Sequence, residues 1–137
     1  MKTVQGNLLS LDVGEKRVGI ALAEVPTFFA RPVTTLQNND QLAETITDLI
    51  NQYQITTIVI GYPRNQSGDP TEQTKVAEET VHALHLPDTI TLAWQDESLT
   101  SVKAEEELES RGKSYEKADI DSLAATFILE DYVKEHA

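Results

Sequence analysis

The chain has 137 residues, 39% of them hydrophobic, which is enough for one domain with a buried core. It contains no cysteine, and this excludes disulfides, thiolate metal sites and cysteine nucleophiles. Eleven basic against 23 acidic side chains give a formal net charge of −12, a field that repels phosphate backbones.

Taken in chain order, Asn7–Val13 is a short apolar run, and Val18–Ala23 is another. Gly14 to Arg17 lie between them, so the pair reads as a β-hairpin with Gly14 supplying a permissive backbone. Val33–Leu36, after Arg31-Pro32, is a short third strand. Asp40–Tyr53 carries Leu42, Ile46, Leu49, Ile50 and Tyr53 at the spacing of an amphipathic helix. Thr56–Gly61 is β-branched and apolar throughout, as expected of a central strand buried on both faces. Asp69, Pro70 and Glu72 are expected at the N-cap, first-turn and N3 positions of a helix running to about Leu84. Val76, Val81 and Leu84 would face inward. Thr89–Trp94 reads as a fifth strand, followed by helices over Thr100–Ser110 and Asp119–Glu135.

The order β-β-β-α-β-α-β-α-α predicts an α/β fold with a five-stranded mixed sheet and helices on both faces. No repeat and no Pro/Gly/Ser-rich linker divides the chain, so a single domain over residues 1–137 is expected. Met1 to Gly6 lacks the apolar run of a signal peptide, and no apolar run reaches membrane-spanning length. A soluble cytoplasmic protein with no membrane partner is expected.

Three acidic positions stand out by location. Asp12 ends the first strand, Asp96 and Glu97 directly follow the fifth, and Asp121 lies in the first turn of the last helix. Asp121 shares a helical face with Ala125, Ile128 and Tyr132, an arc otherwise apolar that should meet the sheet. Small Ala124 and Ala125 would allow close approach. Singly, each acid has an ordinary explanation: a hairpin turn, a loop, or a helix start favoured by the macrodipole. Jointly they predict an all-oxygen site for a hard cation, because converging carboxylates need a counter-charge. Two such ions about 4 Å apart can activate water for in-line phosphoryl displacement. The run Glu105-Glu106-Glu107 reads as a solvated helix face, and the histidines lack metal-ligand spacing.

The segments "LDVGEKRVGIA", "IVIGYPRNQSG", "DESLTS" and "DIDSLAATFILEDY" resemble the YqgF/RuvX family of pre-16S rRNA nucleases, also described as Holliday junction resolvases. The resemblance runs over nearly the whole chain. It implies a ribonuclease H-like fold and a divalent-metal nuclease site, with Mg²⁺ or Mn²⁺ held by Asp12, Glu97 and Asp121. Asp96 would support that site from behind. Lys16, Arg17 and Asn65 match positions that would contact substrate phosphate, and Arg64 adds a basic group. Two departures remove positive charge. Ser98 stands where the family has arginine, and Asp119 where a basic residue is common. Lys113 and Lys117 compensate in part, and weak or partner-assisted substrate binding is expected.

The implied activity is hydrolysis of phosphodiester bonds at the 5′ end of precursor 16S rRNA, with ribosomal precursor particles as surroundings. Resolution of four-way DNA junctions is the alternative, and it normally calls for a two-fold dimer. The sequence leaves monomer and homodimer both open. Two further classes are a catalytically inactive interaction module and a nucleotide-binding domain. The Asp12-to-Gly19 hairpin also resembles the phosphate loop of actin-like ATPases, which close two such domains where this chain has one.

Overall fold

The computed structural model describes residues 6–63, 71–97, 100–112 and 115–136, without the side chains at 63, 97 and 100–102. Among these residues the chain forms β1 (Asn7–Val13), β2 (Arg17–Ala23), β3 (Arg31–Gln37), α1 (Leu42–Tyr53), β4 (Ile55–Pro63), α2 (Glu72–Ala83), β5 (Thr91–Glu97), α3 (Thr100–Ser110) and α4 (Lys117–His136). The predicted element order holds throughout. The sheet order is β3-β2-β1-β4-β5. β1 pairs antiparallel with β2 and parallel with β4, and β4 pairs parallel with β5.

The alternation of β1 sets the layers, because successive strand residues point to opposite faces. Leu9, Leu11 and Val13 enter one core with Val18, Ile20 and Leu22 of β2, packed with residues of α1 and α2. Leu8, Ala21 and Ala23 instead join Ala125, Ile128 and Leu129 of α4. α3 sits against α4 through Ala104, Leu123 and Ala124. Helices therefore cover both faces, and Ile58, Val59 and Ile60 of β4 are wholly buried as its composition predicts.

α4 is seated on the sheet by polar contacts as well as by packing. Ser10, fully buried on β1, donates from Oγ to the Ala125 carbonyl at 2.7 Å. Thr35 on β3 donates from Oγ1 to the Ala118 carbonyl at 2.6 Å. Between them, Gly19 of β2 lies directly under the helix. A methyl group there would overlap the Asp121 carbonyl and come within 2.8 Å of the Ser122 nitrogen. A glycine inside a strand marks such a close approach of two backbones.

Four local expectations are corrected. Gly14 does not use a left-handed backbone; the positive-φ glycines among the described residues are Gly6 and Gly112. Its N–H donates to the Arg17 carbonyl at 2.8 Å, and a Cβ would lie 2.9 Å from that oxygen, so tight closure excludes a side chain. α2 is capped by Thr71 rather than Asp69, with Thr74 rather than Glu72 at N3 in a reciprocal capping box. β5 begins and ends later than predicted, so Asp96 and Glu97 are its last two residues rather than a following loop. α4 begins at Lys117, which moves Asp121 from the first turn to the second. This earlier start comes from Asp119, whose Oδ2 accepts the Glu116 N–H at 2.9 Å and extends the helix by a capping contact.

Gly19→Ala is expected to lower the unfolding free energy by roughly 3 kcal/mol, the upper end of overpacking costs, because the clash is with backbone. Urea unfolding measures it. A loss below about 1 kcal/mol would mean that α4 is not seated on Gly19.

Candidate active site

Asp12 is the sixth residue of β1 and pairs with Gly19 of β2, which in turn pairs with Thr35 of β3. Leu8 and Ser10, on the same strand face, both meet α4. Asp12 therefore lies on the α4 side, and it is only 9% exposed. Since Gly19 is also where the Asp121 backbone touches the sheet, the two aspartates are brought to one place. That place is the carboxyl end of the central strand, where open α/β sheets usually carry their ligand sites.

Asp121 is not alone there. The Arg17 Nε donates to its Oδ2 at 2.7 Å, with the arginine side chain 34% and the aspartate 21% exposed. The sequence marks Arg17 as a phosphate contact, and the structure pairs it with a carboxylate. Its neighbour Lys16 is exposed on the hairpin turn. That turn is braced from behind: Asn38 donates from Nδ2 to the Gly14 carbonyl at 2.8 Å and to Thr80 Oγ1 at 3.3 Å, and its N–H donates to the Lys16 carbonyl at 2.9 Å.

On β5 the two acids separate. Val59, in the α4 core, pairs with Ala93, so alternation puts Ala93 and the buried Gln95 on the α4 face. Asp96 falls on the opposite face with Tyr62 and Trp94, whose rings meet edge-on at 5.3 Å, and it is exposed. The Glu97 backbone pairs with Pro63 at the end of the strand; its side chain is outside the described set. Asn65, Arg64, Ser98 and Lys113 also lie outside the described residues. Asp119, the acid in place of a basic residue, serves the α4 start rather than the site.

The donor set fits a hard divalent cation: two carboxylates of different elements, one buried and one partly exposed, with oxygen atoms only. Among the described residues no group of three or more His, Cys, Asp or Glu side chains stands ready for a metal. Of the acids singled out from sequence, the described residues bring together a pair, Asp12 and Asp121. Sequence reasoning named both. It missed Gly19, Ser10 and Thr35, which hold α4 in place. The glycine inside an apolar strand was the available signal for the first.

The five-stranded mixed sheet with helices on both faces is a ribonuclease H-like α/β fold. Thermus thermophilus RuvC, solved in complex with a Holliday junction substrate, superposes with a TM-score of 0.57 at 12% identity, covering 96% of each chain. The fowlpox virus Holliday junction resolvase gives a TM-score of 0.56 at 9% identity, over 94% of this chain and 99% of its own. The RuvX family model, described as Holliday junction resolvase, matches residues 6–135, and the chain belongs to this family. A relative from Sulfurihydrogenibium sp. (strain YO3AOP1), named "Putative pre-16S rRNA nuclease", is 39% identical over 128 residues, covering 92% of this chain and 88% of the relative. One of the same name from Lachnospira eligens is 39% identical over 134 residues, covering 93% and 96%.

Because Arg17 and Asp121 are both partly exposed, their pair adds little to stability. Asp121→Asn is expected to change the unfolding free energy by less than about 1 kcal/mol, measured by urea titration of metal-free protein. A larger loss would make Asp121 a structural residue first.

Proposed function

We propose that the chain is a metal-dependent nuclease that hydrolyses phosphodiester bonds, with the 5′ end of precursor 16S rRNA as its substrate. The observation that carries this reading is the meeting of Asp12 and Asp121 across Gly19 at the carboxyl end of β1. Membership in the RuvX family and the names of its relatives supply the reaction class and the substrate.

Asp12, Asp121 and Glu97 would hold Mg²⁺ or Mn²⁺. When bound, the metal would polarise the phosphate and lower the pKa of an attacking water. The chain's own part is to fix the carboxylates. Asp12 is set by the sheet register, and Asp121 by the seating of α4 through Ser10, Gly19 and Thr35. Lys16, exposed on the braced hairpin turn, would meet a substrate phosphate, with Asn65 as a further contact. Asp96, on the far face of β5, would act on the site only through the strand.

The setting would be the cytoplasm, near ribosomal precursor particles. No helix among the described residues is long and apolar enough to cross a membrane. The description of the family favours a second reading, resolution of four-way DNA junctions, which shares the same carboxylate chemistry.

Wild type and Asp12→Asn are to be incubated with precursor 16S rRNA and with four-way DNA junctions, with and without Mn²⁺. Wild type should cleave the rRNA only with Mn²⁺. Asp12→Asn should be slower by about a hundredfold or more, the scale of losing one charge-stabilising group at a reacting centre. Equal cleavage by the variant would overturn the mechanism, and preferential cutting of junctions would move the substrate to DNA.

A further inference from the structure

Arg17 is the first residue after the hairpin's exposed turn, and alternation along β2 puts it on the side of Gly19, Ala21 and Ala23. That side faces α4, and Asp121 lies where the helix crosses Gly19. The result is the 2.7 Å contact between Nε and Oδ2, made by residues from two elements 104 positions apart. The contact is short and charge-assisted, and it is partly shielded from water, so neither partner is indifferent to a further charge nearby.

We infer that Arg17 is an internal counter-ion that competes with the divalent metal for Asp121 and is released toward the substrate phosphate when the metal binds. The inference rests on reading Asp121 as a metal ligand. Asp121 has one negative charge to share. With a guanidinium already on Oδ2, a divalent cation on the same carboxylate meets a positive group at close range. The arginine side chain is a third exposed and lies at the strand start beside the turn, so it can swing outward without disturbing the core. Once displaced, it keeps its charge beside the site, where a phosphate drawn to the metal would meet it. Metal and nucleic acid would then assist each other's binding, and the coupling must be equal in both directions. The same contact also answers a charge problem within the fold: it neutralises one of two carboxylates that the sheet and α4 bring together.

The test is metal binding by the intact protein rather than cleavage. Mn²⁺ affinity is to be measured by isothermal titration for wild type, Arg17→Gln, Lys16→Gln and Asp121→Asn. Arg17→Gln should bind Mn²⁺ about three- to fivefold more tightly than wild type, the upper part of the range expected for removing a partly exposed competing ion pair. Lys16→Gln, which loses the same charge one residue away, should stay within about twofold of wild type. Equal gains in both variants would reduce the effect to general charge. Unchanged or weaker binding in Arg17→Gln would make Arg17 a support for Asp121 and overturn the proposal. Asp121→Asn separates the two layers of argument: if it binds Mn²⁺ as wild type does, the metal-site reading itself fails. In nitrogen-15 spectra the Arg17 Nε–H resonance should move on Mg²⁺ addition to its position in Asp121→Asn. A resonance that stays fixed at saturating Mg²⁺ would mean that the arginine never lets go.

Discussion

The arrangement at the carboxyl end of β1 depends on one contact, the backbone of α4 lying on Gly19 with no side chain between them. Gly19 is the sheet partner of Asp12, so whatever rests on Gly19 rests beside Asp12. The helix residue resting there is Asp121. Two hydroxyl donors, Ser10 and Thr35, flank this contact on the neighbouring strands and bond carbonyls of α4 at Ala125 and Ala118. These carbonyls are about two turns apart on the helix, so the donors fix its tilt as well as its height. Packing alone would let a helix slide by fractions of an ångström over an apolar face. Three directed contacts on three adjacent strands leave it little such freedom.

Bringing carboxylates together has a cost, and the chain meets it locally. A buried carboxylate such as Asp12 is unfavourable beside a second one unless positive charge is near. Arg17 supplies that charge, and it does so from the strand next to Asp12. The same hairpin presents Lys16 outward. One turn thus divides two cations between the site's interior and its rim. Asn38 makes that division firm, since it ties the Gly14 and Lys16 carbonyls to the start of the segment leading into α1 and to Thr80 on α2.

The fold was legible because its signals are periodic. β1 and α3 were placed to the residue, and the layering followed from the element order, three strands and then alternating helices and strands, with the helical spacing of residues 42–53. What was less legible depended on single contacts. The start of α2 is set by a hydroxyl pair, Thr71 and Thr74, that competes with the more familiar Asp-Pro signal just before it. The start of α4 is set by Asp119 bonding back to Glu116, and neither residue is part of the apolar pattern. The end of β5 extends through polar residues because backbone pairing with Tyr62 and Pro63 continues past the apolar stretch. At the candidate site, Asp12 and Asp121 were visible as acids out of place. The Arg17 contact was not, because a cation beside a turn gives no sign of which long-range carboxylate it will meet.

Asp119 and Arg17 together change what the acidic composition means for function. Judged by sequence, an acid two residues before Asp121 weakens the grip on a polyanion. In the fold its carboxylate is turned to the backbone N–H of Glu116 and contributes to the start of α4. The exposed run Glu105 to Glu107 lies on α3, which packs on α4, and Glu107 is partly offset by Arg111. Much of this negative charge is therefore carried on elements other than the β1–β2 hairpin that holds Lys16 and Arg17. A long-range field of that sign still slows the approach of a polyanion, and salt relieves it. Close contact is a different matter, decided within a few ångströms by the groups actually present. There the balance turns on whether Arg17 faces Asp121 or the incoming phosphate.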